Sequence, residues 1–302
     1  MSFEEKLRKV KKDVKKSSQD TYLRNIRRLY KIENELPISN NSKWLERKSL
    51  QKWFLKQTLS IRRHLATAAL VALKIYKKEN DFWYSKQQVA REEYDKQRQT
   101  RTLSEKQKKN IPGKGFDSLY KVVKNLKAEL RHVLKNIDTL SDLLRVQDLI
   151  ILSLYAEIPM RLDYATLQLG RGTVNSIYKN TKKPRGWTIS LTDFKTAKSQ
   201  GPKIFRLKQA NQRLLNIFVP AVKKLTDHGF LLSNRLGKKM SKQVLSKRLM
   251  KLTKEKIGKR FSTQLLRVLY AMKNRDLLMS AKEVSDTLMH SQKQSIQYAK
   301  KD

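Results

Sequence analysis

Residues 143–164 read LLRVQDLIILSLYAEIPMRLDY and join the longest apolar stretch of the chain to a polar exit. The apolar part is shorter than the roughly 18 residues that a membrane span requires, so it predicts a helix buried in a protein core. Ser141 is the expected N-cap of this helix. Arg161 follows the helix directly, and an arginine in such a place usually reaches solvent or pairs with a nearby acid such as Asp163.

A change of pattern downstream predicts strands. Residues 187–191 and 204–207 are alternating or β-branched and flank a polar turn around Gly201, which is typical of a β-hairpin. Residues 166–177 are expected to supply a third strand. Lys195 lies at the hairpin turn, where lysines are common. The second half of the chain is therefore predicted to hold one small sheet among helices.

Helices resume after this sheet and carry much of the basic charge. Leu245, Leu249 and Leu252 form an i, i+4, i+7 stripe that predicts the buried side of one helix. Around this stripe, residues 238–260 contain ten basic residues and one acid. The polar face of this helix is therefore a candidate phosphate-binding surface.

The first half of the chain is predicted to be a small all-helical domain over residues 18–97. Residues 1–17 form a basic segment that is either a solvated tail or an arm laid along a phosphate backbone. Residues 98–115 contain few apolar side chains, which predicts a basic linker. Such a linker is compatible with a clamp around a duplex and equally with a solvated connector. Residues 116–302 are then the second domain, so the predicted fold class is mainly α.

Charge and composition limit the function. Lys and Arg total 68 against 27 Asp and Glu, a net charge of +41, and the usual partner of such a chain is nucleic acid. The absence of cysteine excludes disulfides, Cys-ligated zinc and thiolate catalysis. The four histidines lie far apart in sequence, so a His-rich metal site is not expected. Without a signal peptide or a membrane span, the protein is expected to be intracellular and free of the membrane.

The remaining candidate residues lie towards the C-terminus, and each is weak evidence alone. Arg267 is an arginine in an otherwise apolar helix. His290 and Tyr298 are eight residues apart, so they fall near one face of a terminal helix. Ordinary packing or surface roles explain any one of them.

The order of the candidates resembles the tyrosine recombinase (phage integrase) family. Members show a first Arg after a buried helix, a hairpin Lys, a His-x-x-Arg box, a Leu-Gly-His box and a terminal Tyr. The corresponding positions here are Arg161, Lys195, Gln264 with Arg267, Leu288-Met289-His290, and Tyr298. The resemblance covers residues 116–302, and the helical front domain is similar to the core-binding domain of the family. Residues 161–165 and the Lys-Thr turn are most similar to virus-encoded integrases.

The resemblance implies an activity and a site. Tyr298 would attack a DNA phosphate to give a 3′-phosphotyrosine, while Arg161 and Arg267 bind the phosphate oxygens and Lys195 protonates the leaving 5′-hydroxyl. His290 and Gln264 would hydrogen-bond the phosphate. The resemblance further implies double-stranded DNA as partner, a homo-tetramer on two DNA sites, and no requirement for metal, cofactor or ATP.

Four departures from the family pattern keep alternatives open, and one of them is Met289, which stands where the Leu-Gly-His box has glycine. Gln264 replaces a histidine and cannot transfer a proton. Tyr164 stands where the family has an acid, with Asp163 one position earlier, and only four residues follow Tyr298, so a tail-swapping helix is expected to be absent or short. A type IB topoisomerase with the same chemistry, or a catalytically weakened DNA-binding relative, are the alternatives to a recombinase.

Overall fold

The computed structural model describes residues 1–100, 102–172, 174–183, 185–276 and 287–289. The chain divides into two compact units, Met1–Thr100 and Arg101–Asp302. Each unit has a hydrophobic core of its own. No helix among the described residues is both long enough and apolar enough to cross a membrane.

The first unit is built from helices. In chain order these are α1 (Phe3–Val10), α2 (Lys16–Tyr30), a 3₁₀ turn (Lys43–Glu46), α3 (Lys48–Leu55), α4 (Leu59–Tyr76) and α5 (Asp81–Gln99). The alanine- and leucine-rich face of α4 lies at the centre and packs against α2 and α5. Trp83 is completely buried and its indole N–H donates to the Leu45 carbonyl at 2.8 Å, so its one polar atom is satisfied inside the core.

The N-terminal segment contains a docked helix, so its interpretation as a solvated tail is wrong, while a contact with a phosphate backbone stays a prediction. Ser2 and Glu5 form a capping box that starts α1. Phe3 and Leu7 are buried, and the Phe3 ring lies 5.6 Å from the ring of Tyr76. Two apolar side chains on one face were enough to dock the helix, although the composition of the segment is dominated by lysine.

The second unit surrounds a small sheet with helices. Its elements are α6 (Glu105–Asn110), α7 (Asp117–Glu129), α8 (Leu140–Glu157), β1 (Gln168–Leu169), β2 (Ser176–Asn180), β3 (Gly186–Leu191), α9 (Ala197–Gln200), β4 (Lys203–Arg206), α10 (Gln209–Leu225), α11 (Lys242–Ile257) and α12 (Thr263–Lys273), with 3₁₀ turns at Val133–Lys135 and Asp163–Thr166. The sheet order is β1-β2-β3-β4; β1 is parallel to β2, and the other neighbours are antiparallel.

Most of the predicted pattern of this unit is confirmed. The predicted hairpin is β3 and β4, with Ile189 opposite Phe205. The stretch 166–177 contains β1 and the start of β2, so it contributes to two strands instead of one. Ser141 is not the cap of the buried helix: α8 begins at Leu140, and Thr139 accepts from the backbone N–H of Asp142.

The segment predicted as a linker contains structure of its own. Ser104 and Gln107 form a capping box for α6. The ammonium group of Lys259 donates to the carbonyl of Lys109, and the backbone N–H of Arg260 donates to Asn110. These bonds attach residues 105–110 to the second unit, while a linker role for residues 98–115 stays a prediction.

Helix α8 is buried on nearly every face, including its polar residues. The Gln147 amide exchanges two hydrogen bonds with the backbone N–H and C=O of Ser233, at 2.6 and 2.9 Å. Ser153 donates to Asn211 on α10 at 2.6 Å, and Asp148 forms a two-pronged ion pair with Arg248 on α11. These contacts connect α8 to the elements on either side of it.

Replacing Gln147 by Met should lower the free energy of unfolding by about 3 kcal/mol. The apolar side chain has a similar volume, but it leaves both backbone groups of Ser233 without their partner in the core. Urea denaturation followed by circular dichroism measures the change. The control is Gln243→Met on the exposed face of α11. Equal stability of the two variants would contradict this role of Gln147.

Candidate active site

Arg161 is held in place by two buried tyrosines. After α8 ends, the hydroxyl of Tyr155 donates to the Arg161 carbonyl at 2.8 Å. The hydroxyl of Tyr164 shares its one proton between the carbonyls of Leu154 and Ile158, at 2.9 and 2.8 Å, and the two tyrosine rings meet edge to face. The chain that carries Arg161 is thereby folded back onto the last turn of α8. Burial raises the pKa of both tyrosines well above its ordinary value, so both hydroxyls stay donors.

A buried carboxylate lies beside Arg161. Asp163 is 4% exposed, and Lys242 at the start of α11 approaches it at 3.5 Å. Burial raises the pKa of Asp163, while Lys242 and Arg161 act in the opposite direction by stabilising its charged form. The acid therefore interacts with two cations, and its single negative charge leaves this group of three residues with a net positive charge.

Arg267 is the second arginine of the site and is 3% exposed. Ser262 caps α12 by accepting from the N–H of Leu265, so Arg267 lies in the second turn of this helix. Its guanidinium donates to the Leu288 carbonyl at 2.9 Å. Gln264 is one turn earlier on the same helix and is exposed. An almost fully buried guanidinium is rare unless charged or polar groups accept its hydrogen bonds.

Lys195 lies in the connection between β3 and β4 and is exposed. The hydroxyl of the next residue, Thr196, donates to the Met289 carbonyl at 2.8 Å. The connection that carries Lys195 is therefore attached to a segment 93 residues further along the chain.

Residues 287–289 are the meeting point of the site. Leu288 and Met289 are both fully buried; Leu288 accepts from Arg267 and Met289 accepts from Thr196. Met289 has a φ of 53°, a left-handed conformation that favours glycine. His290 and Tyr298 lie outside the described residues, but His290 directly follows this segment.

Sequence reasoning did not find three residues that shape the site. In the sequence, Thr196 stands out only as the neighbour of Lys195 in the Lys-Thr turn, and Lys242 only as one charge of a basic helix. Asn175 has no sequence signal. Asn175 is buried and hydrogen-bonds both Thr166 and Asp193. No local pattern reveals these roles, because each depends on contacts between distant segments.

Each unit presents a basic surface. In the second unit, Lys247, Lys251 and Lys254 are exposed at i, i+4 and i+7 on α11, opposite its buried leucine stripe. In the first unit, a groove of about 230 Å³ between α2 and α4 is lined by Arg24, Arg28 and five neighbouring residues. Both surfaces have the charge that a phosphate backbone attracts.

Comparison with solved structures identifies the architecture. The chain is similar to the XerH site-specific recombinase bound to difH in a pre-cleavage complex, with a TM-score of 0.59, 12% identity, and coverage of 94% of this chain and 76% of that one. The post-cleavage complex of XerH with palindromic difH gives a TM-score of 0.55, 13% identity, and coverage of 93% and 75%. The XerA recombinase gives a TM-score of 0.43 at 10% identity over 99% and 93% of the two chains.

The fold is that of a tyrosine recombinase. No protein-family model matches the chain, and no curated protein matches it in sequence. At 12% and 13% identity, the similarity to XerH shows a shared fold only. Any statement about chemistry must therefore rest on the residues of this chain.

Tyr155→Phe should weaken the support of Arg161. The substitution keeps the ring and removes the donor to the Arg161 carbonyl, so the free energy of unfolding should fall by about 1–2 kcal/mol. Urea denaturation measures this, with Tyr178→Phe as the control, since that ring is only half-buried. A loss no larger than that of the control would show that the bond does not hold this part of the chain.

Proposed function

We propose that this protein is a site-specific tyrosine recombinase that cleaves and rejoins DNA through a 3′-phosphotyrosine on Tyr298. The observation that carries the proposal is the convergence on residues 288–289: the buried Arg267 and the connection bearing Lys195 both bond to the segment that leads into His290. Two candidates from distant parts of the sequence thereby have contacts to adjacent residues, and this supports a shared site. The fold shared with XerH supports the same proposal.

Arg161 and Arg267 bind the two non-bridging oxygens of the scissile phosphate. Attack on a phosphodiester adds negative charge to these oxygens, and a guanidinium meets them with a planar pair of donors. Lysine at either position would lose this geometry. The support that Arg161 receives from Tyr155 is consistent with this role, because electrostatic stabilisation depends on donors that are in place before charge develops.

The phenol of Tyr298 attacks phosphorus while the bond from phosphorus to the 5′-oxygen breaks. A cationic site favours loss of the phenol proton to solvent, and Lys195 gives a proton to the departing 5′-oxygen. His290 orients the phosphate, and Gln264 can only hydrogen-bond it. Because the phosphotyrosine ester conserves the energy of the broken bond, the 5′-hydroxyl of a second strand reverses the step without ATP.

The proposal also covers the oligomeric state of the protein on DNA and the biological reaction that it serves. Strand exchange between two duplexes requires four active sites, so we propose a homo-tetramer on two double-stranded DNA sites. The similarity of residues 161–165 and of the Lys-Thr turn to virus-encoded integrases supports integration of a viral genome as the biological reaction.

Tyr298→Phe should abolish covalent trapping of DNA and leave the dissociation constant for the same DNA within about twofold, because phenylalanine keeps the aromatic ring but lacks the nucleophilic hydroxyl. The assay uses a suicide duplex with a nick near the scissile phosphate, which lets the leaving strand diffuse away. Denaturing gel electrophoresis detects the adduct.

The control for this variant is Tyr84→Phe in the first unit, an exposed tyrosine that should trap like the wild type. A covalent adduct formed by Tyr298→Phe would remove Tyr298 as the nucleophile. With the wild-type protein, joining of two duplexes supports a recombinase. Relaxation of a supercoiled plasmid without such joining would support a type IB topoisomerase instead.

Binding should weaken steeply with salt, because phosphate contacts release counterions. Replacing Lys247, Lys251 and Lys254 together by Ala should reduce the slope of log K against log salt by about 2–3, at about 0.9 for each phosphate that is no longer neutralised. Fluorescence anisotropy between about 50 and 200 mM salt measures the slope. The control replaces three exposed lysines of α7, Lys121, Lys124 and Lys127. Equal slopes for the two triple variants would exclude α11 as the DNA-binding face.

A further inference from the structure

Asn175, just before β2, is a buried amide between two segments of the site. Its side chain is 1% exposed, although asparagine is seldom fully buried in proteins. Neither the resemblance nor the proposed chemistry gives this residue a role. Its hydrogen bonds nevertheless involve the two segments that carry Arg161 and Lys195.

The amide uses its full hydrogen-bonding capacity. Its Nδ2 donates to the hydroxyl of Thr166 at 2.9 Å and to the carbonyl of Asp193 at 2.7 Å. Its Oδ1 accepts from the backbone N–H groups of Thr192 and Asp193 at 3.0 and 2.9 Å. Two donors and two acceptor positions are what one carboxamide offers, so only Asn fits this place without loss.

On one side, the bonds reach the segment that carries Arg161. Thr166 closes the 3₁₀ turn Asp163–Thr166, and its hydroxyl donates to the Asp163 carbonyl at 2.7 Å while it accepts from Asn175. Asp163 in turn interacts electrostatically with Arg161. A continuous series of hydrogen bonds therefore joins the turn after Arg161 to the amide of Asn175.

On the other side, the bonds hold the start of the connection that carries Lys195. Thr192 and Asp193 leave β3 and come two to three residues before Lys195, while Thr196 follows it and is bonded to Met289. Lys195 is thus placed between two anchors. The anchor formed by Asn175 is the one that links the position of Lys195 to the segment that carries Arg161.

We propose that Asn175 is a positioning residue that sets Lys195 relative to Arg161 and thereby enables protonation of the leaving 5′-oxygen. The inference rests on the proposed function. Asn175 does not touch the DNA in this account; it acts through the backbone of residues 192–193. Its loss should impair the step that needs Lys195 more than the step that needs the arginines.

A substrate with sulfur in place of the bridging 5′-oxygen separates these two steps. The pKa of a thiol is far below that of an alcohol, at about 8.5 for cysteine, so the sulfur leaves as the anion without an acid. A variant in which Lys195 is misplaced should therefore recover its cleavage rate on the sulfur substrate. A fault in binding the phosphate, as in Arg267→Ala, should remain on both substrates.

The test measures single-turnover cleavage of both substrates by the wild type, Lys195→Ala and Asn175→Ala. Both variants should lose about 100-fold on the oxygen substrate, and both should come within about fivefold of the wild type on the sulfur substrate. The dissociation constants for DNA should stay unchanged. Thr166→Val, which removes the hydroxyl at the far end of the series, should show the same pattern with a smaller loss.

Asn216→Ala is the control for a merely structural loss, because Asn216 accepts a hydrogen bond from Trp187 in the same unit. It should cleave both substrates at similar relative rates. Equal losses on both substrates for Asn175→Ala and for Thr166→Val would overturn the inference, even if one variant folds poorly. Absence of any adduct from the wild type with either substrate would instead overturn the proposed function, and this inference with it.

Discussion

The site depends on the burial of α8, because that helix fixes where Arg161 leaves the core. A helix that is apolar on all sides has no preferred rotation, and the polar residues of α8 supply one. Gln147 bonds to Ser233, Ser153 bonds to Asn211 on α10, and Asp148 pairs with Arg248 on α11. A rotation or a slide of α8 would break all three contacts in a medium where unpaired polar groups are costly. The end of the helix is therefore fixed from three directions.

Hydrogen bonds to the backbone hold the segments that carry the candidate catalytic residues, beginning at the end of α8. Tyr155 reaches the carbonyl of Arg161, and Asn175 reaches residues 192–193. Thr196 reaches Met289, which directly precedes His290. These hydrogen bonds all go to main-chain atoms, so they position the segments that carry the candidate residues without using the side chains of Arg161 or Lys195. The buried carboxylate of Asp163 reduces the repulsion between the cations before the phosphate is bound.

Features that a local sequence pattern encodes could be predicted, and features that depend on contacts between distant segments could not. The apolar run of α8 and the alternation in β3 and β4 are local signals, so both elements followed from the sequence. The order of Arg161, Lys195 and Arg267 and the resemblance made them candidates, and their catalytic roles stay a prediction. The docking of α1 and the role of Asn175 did not follow, because they depend on contacts made only once the chain has folded. Asn175, for example, bonds to residues 9 and 18 positions away in the sequence.

Met289 shows how a departure from the family pattern is accommodated. Its φ of 53° costs a non-glycine residue about 1–2 kcal/mol. Its side chain is fully buried in the core of the second unit, which contributes about 1.5–3 kcal/mol and offsets that cost. The carbonyl of Met289 accepts from Thr196, so the contact to the Lys195 connection is present with methionine at this position. Methionine at position 289 is therefore compatible with this bond, and Gln264 is the departure that bears on proton transfer among the described candidates.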